Sequence, residues 1–447
     1  MEEGVTSEFA HLNILKELNT AKGSLEALIE KRENFKNAYI EDAQNELQLA
    51  QRELSQSEET MKKLTDVKGS ATLMDIMSAQ GVEVKGEENI TSKGNLKGMT
   101  TDEKELENNI NEVYDFWQTR GFPYYSTDAT WRKQKMSDLR KVDCKNLLTQ
   151  DKVIKPHQEG LSLAWSYMPH SFAIRCGKMK TPMEIYENEE HFKKGIKKLL
   201  TGSFFGKMQV NDLKPVSYDL MGTETYRSEE SKHKAESTMR SLLRRYTGTQ
   251  CVSNFRPTAA ACLYQNFMKP NEIVWDMSMG YGGRILGAII SRVNYVGTDP
   301  AALTFKGLKE IKEDFGNEHN HYFLNKQGSE TFVPKENSLD FAFTSPPYFN
   351  WEQYSEDEAQ SFNQFSTNED WNEGFLRKTI QNVKVGLKSG KYMGLNVANI
   401  KSHKTFEDDT VRLAVEEGFE HTDTYKLQLS SQESGAKYEP VFIFRKP

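Results

Sequence analysis

The sequence predicts an α/β fold in which a twisted, mostly parallel sheet follows a mixed, helix-rich region and an N-terminal coiled coil. Two observations favour the sheet. Short apolar runs recur after residue 251, and several of them end in a turn or a polar loop before a helical stretch begins. This alternation is typical of parallel α/β domains. The coiled coil rests on a third observation, a heptad spacing of apolar residues in the first 66 positions. A chain of 447 residues has room for two or three domains.

Residues 1–66 predict one long helix or a helical hairpin. The stretch from His11 to Asp66 has no proline, one glycine, and many Glu, Lys, Gln, Leu and Ala residues. An a/d alternation of the heptad begins at Leu47 and continues through Leu54, Met61 and the residues between them. We expect this segment to make the chain a homo-oligomer, the alternative being a helix that packs back on the rest of the chain. Residues 67–104 are rich in Gly, Lys and Glu and predict a linker.

Residues 105–250 contain several Trp, Tyr and Phe side chains, which predict a folded region. The net charge of the chain is −7, yet basic side chains concentrate near the end of this region. Four lysines fall at i, i+4 positions of one predicted helix face, where they suit phosphate contacts or form a solvated face. The candidate nucleic-acid-binding residues are Lys193, Lys194, Lys197, Lys198, Arg240, Arg244 and Arg245.

A strand, a glycine-rich turn and a helix follow one another from residue 273 to residue 290. Ile273 to Trp275 is the apolar run, Asp276 ends it, and glycines occupy the turn that precedes the helix. The next predicted strand ends just before Asp299, which lies 23 residues after Asp276. An acidic residue at about this distance beyond a glycine-rich turn is well placed to accept hydrogen bonds from ribose hydroxyls. The turn does not read Gly-x-Gly-x-x-Gly, so it lacks the usual pyrophosphate cradle of dinucleotide sites.

A second motif lies at the end of another apolar run. Phe341 to Phe343 reads as a strand, and it stops at Thr344-Ser345-Pro346-Pro347-Tyr348. Two prolines fit neither a helix interior nor a central strand, so they begin a rigid loop. Because the carboxyl ends of parallel strands hold the ligands of open α/β sheets, we expect this loop at a binding site.

The remaining elements complete a sheet. His321–Leu324 predicts a third strand followed by Ser329, and Trp371–Leu387 predicts a helix that stops at Lys388-Ser389-Gly390. Tyr392–Val397 predicts a buried strand. Two last runs, at 424–429 and 441–444, predict an antiparallel pair at the sheet edge.

Thr344–Tyr348, together with the glycine-rich turn, resembles the motifs of the amino-methyltransferases, which methylate exocyclic amines of DNA bases from S-adenosylmethionine. The resemblance covers roughly residues 251–447 and implies a Rossmann-like class I methyltransferase domain with seven strands. It departs from the commoner Asp-Pro-Phe start of the turn, since this chain has Asp276-Met277-Ser278. It implies catalytic roles for Ser345, Pro346, Pro347 and Tyr348, and cofactor contacts by Asp276, Met277, Ser278, Gly280, Gly282, Asp299, Phe255, Pro257, Thr258, Ser329 and Thr344.

The implied chemistry is direct methyl transfer to a flipped-out base. Ser345 Oγ and the Pro346 carbonyl would accept the hydrogens of the amine, and Tyr348 would stack on the base. A serine before Pro-Pro favours cytosine N4 over adenine N6 in the resembling enzymes. RNA is an alternative substrate, and a coiled-coil assembly protein with an inactive methyltransferase fold is an alternative of another class. Cytosine C5 methylation is disfavoured because that chemistry uses a cysteine that usually follows proline, and no cysteine of this chain follows one.

The composition predicts the cellular environment of the protein. Four scattered cysteines without a Cys-x-x-Cys pair predict a reducing, cytoplasmic environment and no structural zinc or other metal. No apolar stretch approaches 18 residues, and no signal peptide is evident, so we expect no membrane association. The target sequence and the biological role, such as restriction–modification, are not encoded in any motif.

Overall fold

The computed structural model describes residues 101–203, 206–218, 223–246, 248–348, 352–353, 361–432 and 435–447. The predicted coiled coil and most of the predicted linker lie outside these residues. Residues 101–104, predicted as the end of the linker, form the first turn of a helix. The described residues belong to one compact unit, Leu96–Pro447.

The upstream part of the described chain, residues 101–246, is mainly helical. In chain order its helices are α1 (Thr101–Arg120), α2 (Ala129–Arg140), α3 (Leu161–Trp165), α4 (Pro182–Glu187), α5 (Glu189–Leu200), α6 (Val210–Leu213) and α7 (Glu229–Arg245), with 3₁₀ turns at Lys145–Leu147 and Pro169–Ala173. The predicted lysine-bearing helix is therefore α5. Asn188 caps it by accepting a hydrogen bond from the His191 amide at 2.9 Å.

Later helices alternate with strands, as the sequence predicts. They are α8 (Pro257–Phe267), α9 (Gly283–Ser291), α10 (Ala302–Phe315), α11 (Ser361–Gln364), α12 (Asn368–Trp371), α13 (Lys378–Gly386) and α14 (Phe406–Glu416). A π-helical segment, Asn372–Arg377, joins α12 to α13. The helix predicted over 371–387 is thus interrupted, because residues 372–377 adopt the wider π turn.

Strands overlap the seven predicted apolar runs, and the last three strands extend beyond them. The strands are β1 (Val153–Ile154), β2 (Arg175–Cys176), β3 (Val216–Tyr218), β4 (Glu224–Tyr226), β5 (Ile273–Asp276), β6 (Asn294–Thr298), β7 (Tyr322–Asn325), β8 (Leu339–Thr344), β9 (Glu352–Gln353), β10 (Leu387–Asn396), β11 (Glu420–Gln432) and β12 (Gly435–Arg445). Lys388-Ser389-Gly390, predicted as a helix stop, instead lies within a strand that begins at Leu387.

The main sheet has the order β1-β11-β12-β10-β8-β5-β6-β7. Neighbours from β10 to β7 are parallel, whereas β12 is antiparallel to both β10 and β11. Every residue of the central strand β8 is buried, as expected for a parallel strand covered on both faces. This confirms the predicted Rossmann-like, mostly parallel α/β fold.

Two details of the predicted sheet need correction. It has eight strands instead of seven, because Val153–Ile154 from the upstream region pairs in parallel with β11. The predicted antiparallel pair is β11 and β12, but β1 occupies the outer edge beside it. The added strand contains only two residues, too short a run for its pattern to predict a strand.

Side chains of the two sheet faces enter different hydrophobic cores. Phe341 and Phe343 belong to one core and Ala342 to another, as the alternation of a strand requires. A third core lies among residues 110–246 and includes side chains of α1, α5 and α7. Residues between Met136 and Cys176 instead pack into the first core of the sheet. Among the helices of the described residues, none combines the length and apolar character of a membrane span.

Candidate active site

A cavity of about 530 Å³ lies at the carboxyl ends of β5, β6, β8 and β10. Its volume falls in the range of small-molecule sites, roughly 300–1,000 Å³. Segments that are far apart in the sequence meet there. The sequence-predicted residues that line it are Phe255, Met277, Ser278, Gly280, Asp299, Ser329, Ser345, Pro346, Pro347 and Tyr348.

Five other predicted residues lie near this cavity but do not line it. Asp276 and Thr344 end strands β5 and β8 and are buried. Gly282 and Pro257 occupy the starts of helices α9 and α8, and the Thr258 hydroxyl donates to the His157 carbonyl at 2.8 Å. These five residues lie one or two positions from lining residues in the sequence and support the cavity wall without facing the cavity.

The glycine-rich turn folds tightly against the segment before α8. Gly280 and Gly282 have φ angles of 56° and 84°, which favour glycine. At Gly283, a Cβ atom would overlap the backbone carbonyl oxygen of Phe255. The Asn254 side chain also donates to the Tyr281 carbonyl at 2.9 Å. The turn therefore holds two cavity-lining segments in contact with each other.

Asp276 makes a buried ion pair with Arg284, a residue that sequence reasoning missed. The Arg284 Nε atom lies 2.8 Å from Asp276 Oδ2, and the Tyr295 hydroxyl donates to the same oxygen at 2.7 Å. The Asp276 side chain is fully buried. A charge there needs such partners, because an unpaired buried charge is strongly destabilising. The signal in the sequence was a basic residue directly after the glycines, in the first turn of α9.

Asp299 faces the cavity with a different set of partners. It is 9% exposed, and its two carboxylate oxygens accept hydrogen bonds from the Gly280 amide at 2.9 Å and the Ala301 amide at 3.0 Å. Burial raises the pKa of Asp299 to about 6, against the lowering effect of these two amides. Each oxygen retains a lone pair, so the carboxylate can accept further hydrogen bonds from a ligand.

The Ser-Pro-Pro-Tyr loop begins where β8 ends. Ser345, Pro347 and Tyr348 are half-buried, and Pro346 is buried. The Tyr348 ring packs edge-on against Phe406, with centroids 5.7 Å apart. The loop thus presents its first hydroxyl and its prolines to the cavity, while Phe406 supports the ring.

Polar residues that the sequence did not suggest complete the cavity wall. Arg256, Asn396 and Glu439 line it together with the Ser-Pro-Pro-Tyr loop. Arg256 is buried and donates to the Gln428 carbonyl. Burial raises the pKa of Glu439, while hydrogen bonding by Asn396 and the Arg256 charge act in the opposite direction. Glu439 carries no local signal, because strand β12 brings it here from the end of the chain.

The predicted phosphate-binding residues are only partly at the surface. Lys194, Lys197 and Arg245 are exposed. Lys193 pairs with Glu189 at 2.6 Å. Arg240 is 8% exposed and donates to the carbonyls of residues 123 and 124 at 3.0 Å.

The two remaining basic residues lie against aromatic rings. Lys198 lies 5.2 Å from the Tyr246 ring centroid, and Arg244 lies 5.0 Å from that of Trp165. Both side chains are half-buried. The structure therefore does not bring the seven basic side chains together on one open face.

No family model matches the chain, and no curated protein matches it significantly. Among solved structures, it is similar to a SAM-dependent methyltransferase from Methanosarcina mazei (14% identity, TM-score 0.31, 41% of this chain and 96% of that one). It is also similar to magnesium protoporphyrin IX methyltransferase from Synechocystis (13%, 0.31, 42% and 77%). A third is a TehB-like SAM-dependent methyltransferase from Corynebacterium glutamicum (15%, 0.30, 48% and 98%).

Proposed function

We propose that this protein transfers a methyl group from S-adenosylmethionine to an exocyclic amine of a DNA base, with cytosine N4 favoured over adenine N6. One observation supports this most strongly. The glycine-rich turn, Asp299 and the Ser345–Tyr348 loop line the same cavity, although the turn and the loop are some 65 residues apart in the sequence. Motifs that are separated in the sequence therefore lie together at one cavity.

The residues of the cavity fit the proposed cofactor. S-adenosylmethionine supplies an activated methyl group when it is bound. Asp299 has lone pairs left for ribose hydroxyls, and Gly280 lets the backbone approach a ligand closely. Met277 and Ser278 line the part of the wall that follows β5, and Ser329 lines the part that follows β7. Asp276 supports this part of the wall, because its Oδ1 accepts a hydrogen bond from the Ser278 amide at 3.3 Å.

The catalytic loop supplies acceptors for the amine of the substrate. The lone pair of an exocyclic amine is delocalised into the base, which makes the nitrogen a poor nucleophile. Ser345 Oγ and the Pro346 carbonyl accept its hydrogens, favour a tetrahedral nitrogen, and align its lone pair with the methyl group. The prolines fix the carbonyl before the reaction, so little reorganisation is needed. Tyr348 stacks on the base.

DNA is the proposed partner, and the chain is proposed to act as a homo-oligomer through residues 1–66. The exposed Lys194, Lys197 and Arg245 are the candidates for phosphate contacts. A base within a duplex must first be flipped out to reach the cavity.

The test is to incubate the protein with S-adenosylmethionine and unmodified genomic DNA, and to measure methylated nucleosides by mass spectrometry. N4-methylcytosine is the expected product. N6-methyladenine would keep the mechanism and change the base. No methylated base, with cofactor binding intact by calorimetry, would favour RNA as substrate. Loss of cofactor binding as well would favour the inactive assembly protein.

Variants separate catalysis from cofactor binding. We expect Ser345→Ala to lower the methylation rate by about 100-fold or more, because it removes one preorganised hydrogen-bonding group. Its cofactor affinity should not change. Ser338→Ala is the matched control, since Ser338 lies before β8 and its hydroxyl binds the Lys335 carbonyl on the surface. A Ser345→Ala protein with wild-type activity would contradict the proposed role.

A further inference from the structure

A second cavity, also of about 530 Å³, lies outside the candidate active site. Two stretches of the upstream region supply most of its wall. One is the segment from Tyr124 to Asp128, and the other is a face of α7 that contains His233 and Glu236. The indole of Trp165 contributes a further part. None of these residues belongs to the proposed methyl-transfer chemistry.

Aromatic rings and polar groups are combined in this cavity. Tyr124 is 40% exposed, so part of its ring is open to a ligand. Tyr125 is half-buried, and Thr127 and Asp128 are exposed at the rim. The cavity therefore offers ring surface for stacking together with hydroxyl, carboxylate and imidazole groups for hydrogen bonding. A nucleobase has the matching features, namely two π faces and a polar edge.

Arg240 fixes the backbone of the segment that contains Tyr124 and Tyr125. Arg240 donates hydrogen bonds to the carbonyls of Pro123 and Tyr124, both at 3.0 Å. Its guanidinium also lies 4.3 Å from the ring centroid of Tyr125. This buried arginine, which the sequence suggested for phosphate binding, fixes the backbone that presents the two tyrosines. A platform fixed in advance loses little conformational entropy when a ligand stacks on it.

The two cavities share an aromatic wall. Trp165 lines the second cavity and Tyr281 lines the first, and their ring centroids are 5.3 Å apart. Tyr281 belongs to the glycine-rich turn, between Gly280 and Gly282. A nucleic-acid strand with one base in the first cavity could therefore place another base in the second.

We propose that the second cavity binds an unpaired nucleobase, which stacks on Tyr124 and hydrogen-bonds to the rim formed by Thr127, Asp128 and His233. The inference rests on the proposed function, because it assigns to this cavity a base of the same strand whose target base is methylated. It gives the upstream region a defined role in holding the substrate.

The test measures binding of a fluorescently labelled single-stranded DNA oligonucleotide to the full chain by anisotropy, at fixed salt. The probe is compared with an abasic strand of the same length. The wild-type protein should bind the base-containing strand more tightly, and Tyr124→Ala should weaken that binding by about 5-fold or more, the effect of losing one base–aromatic stack. Binding of the abasic strand should not change in this variant.

Two matched variants control for unrelated effects. Tyr124→Phe keeps the ring and should bind like the wild-type protein. Tyr218→Ala removes another exposed tyrosine, 58% accessible on the β3–β4 hairpin, and should also bind normally. The proposal is overturned if Tyr124→Ala binds as tightly as wild type, or if the wild-type protein does not bind the single strand. A different experiment tests the proposed function. That function is contradicted if the wild-type protein neither methylates a base nor binds the cofactor, whatever the result of the DNA-binding experiment.

Discussion

Two aspartates at the ends of neighbouring strands have opposite environments. Asp276 is fully buried and neutralised by Arg284, whereas Asp299 is held by two backbone amides and lines the cavity. Arg284 and Tyr295 both donate to the same oxygen of Asp276, and these bonds fix the glycine-rich turn. A carboxylate held only by amides keeps its charge available for a ligand. At the residue scale, this difference separates an acid paired within the protein from one that lines the cavity.

The raised pKa of Asp299 predicts how cofactor affinity depends on pH. Burial raises this pKa from 3.8 to about 6, so the neutral carboxyl is the form that favours folding. Its stabilising contribution is complete below about pH 3.8 and is lost as the pH rises through about 6. Ribose hydroxyls donate stronger hydrogen bonds to the charged carboxylate than to the neutral carboxyl. We therefore expect the affinity for S-adenosylhomocysteine to fall below about pH 6, by up to about tenfold per pH unit. Calorimetry across this range measures it.

Asp299→Asn and Asp340→Asn provide the comparison for this pH dependence. Asp299→Asn should bind weakly and with little dependence on pH, since it has no titrating carboxyl. Asp340 is also buried but pairs with Lys388 and Lys391, away from the cavity lining. Asp340→Asn should keep the wild-type pH profile. An Asp299→Asn protein with the wild-type profile would show that another group controls binding.

At the scale of elements, the site depends on how closely the glycine-rich turn approaches the segment before α8. Three glycines restrict the turn, since Gly280 and Gly282 have positive φ angles and Gly283 lies against a backbone carbonyl. The π-helical segment acts similarly on the other side of the sheet, where it places Phe375 on the cavity wall. Such departures from regular helix and strand bring backbone and side chains to the cavity.

Gly283→Ala should damage both stability and cofactor binding. The new methyl group would overlap the Phe255 carbonyl oxygen, which is backbone and cannot rotate away. We expect a loss of about 3 kcal/mol or more in the free energy of unfolding, measured by denaturant titration, and weaker cofactor binding by calorimetry.

Gly390→Asn is the control for the glycine substitution. Gly390 has a φ of 77° but open space around its Cβ position, and asparagine tolerates this conformation. This variant should remain near wild type. A stable Gly283→Ala protein that binds cofactor normally would contradict the close approach of the two segments.

At the scale of the whole molecule, the described residues form three hydrophobic cores, whose buried members lie within residues 110–444. The upstream region contributes to two of them, since α1, α5 and α7 form their own core while residues between Met136 and Cys176 pack into the core of the sheet. The unit Leu96–Pro447 thus contains the buried surface that a folded domain needs.

A chain limited to residues 96–447 should fold and bind S-adenosylhomocysteine with the affinity of the full chain. If residues 1–66 mediate self-association, the full chain should be an oligomer and the shorter chain a monomer at the same concentration. Light scattering coupled to size-exclusion chromatography measures both masses. An oligomeric 96–447 chain would instead place the association surface within that unit.

The sequence by itself determined the strands, their alternation with helices and both loops of the site, because these features are local. Apolar runs such as Phe341–Phe343 predict strands from their composition, and prolines or glycines directly after a run predict the loop that ends it. The position of Asp299 at the cavity was also predictable, since its spacing from the glycine-rich turn is set by one β-α-β unit.

Only the tertiary structure decided which side chains face the cavity and which support it. Asp276 and Arg240 are charged residues that a sequence pattern assigns to a ligand, yet burial makes each one a fixed partner of other protein groups. Glu439 and the edge strand β1 were not predictable from local patterns, because long-range contacts place them. Val153 of β1 pairs with Lys426, and Glu439 lines the same cavity as Arg256. Burial and long-range pairing depend on the packed chain as a whole, so local patterns contain no record of them.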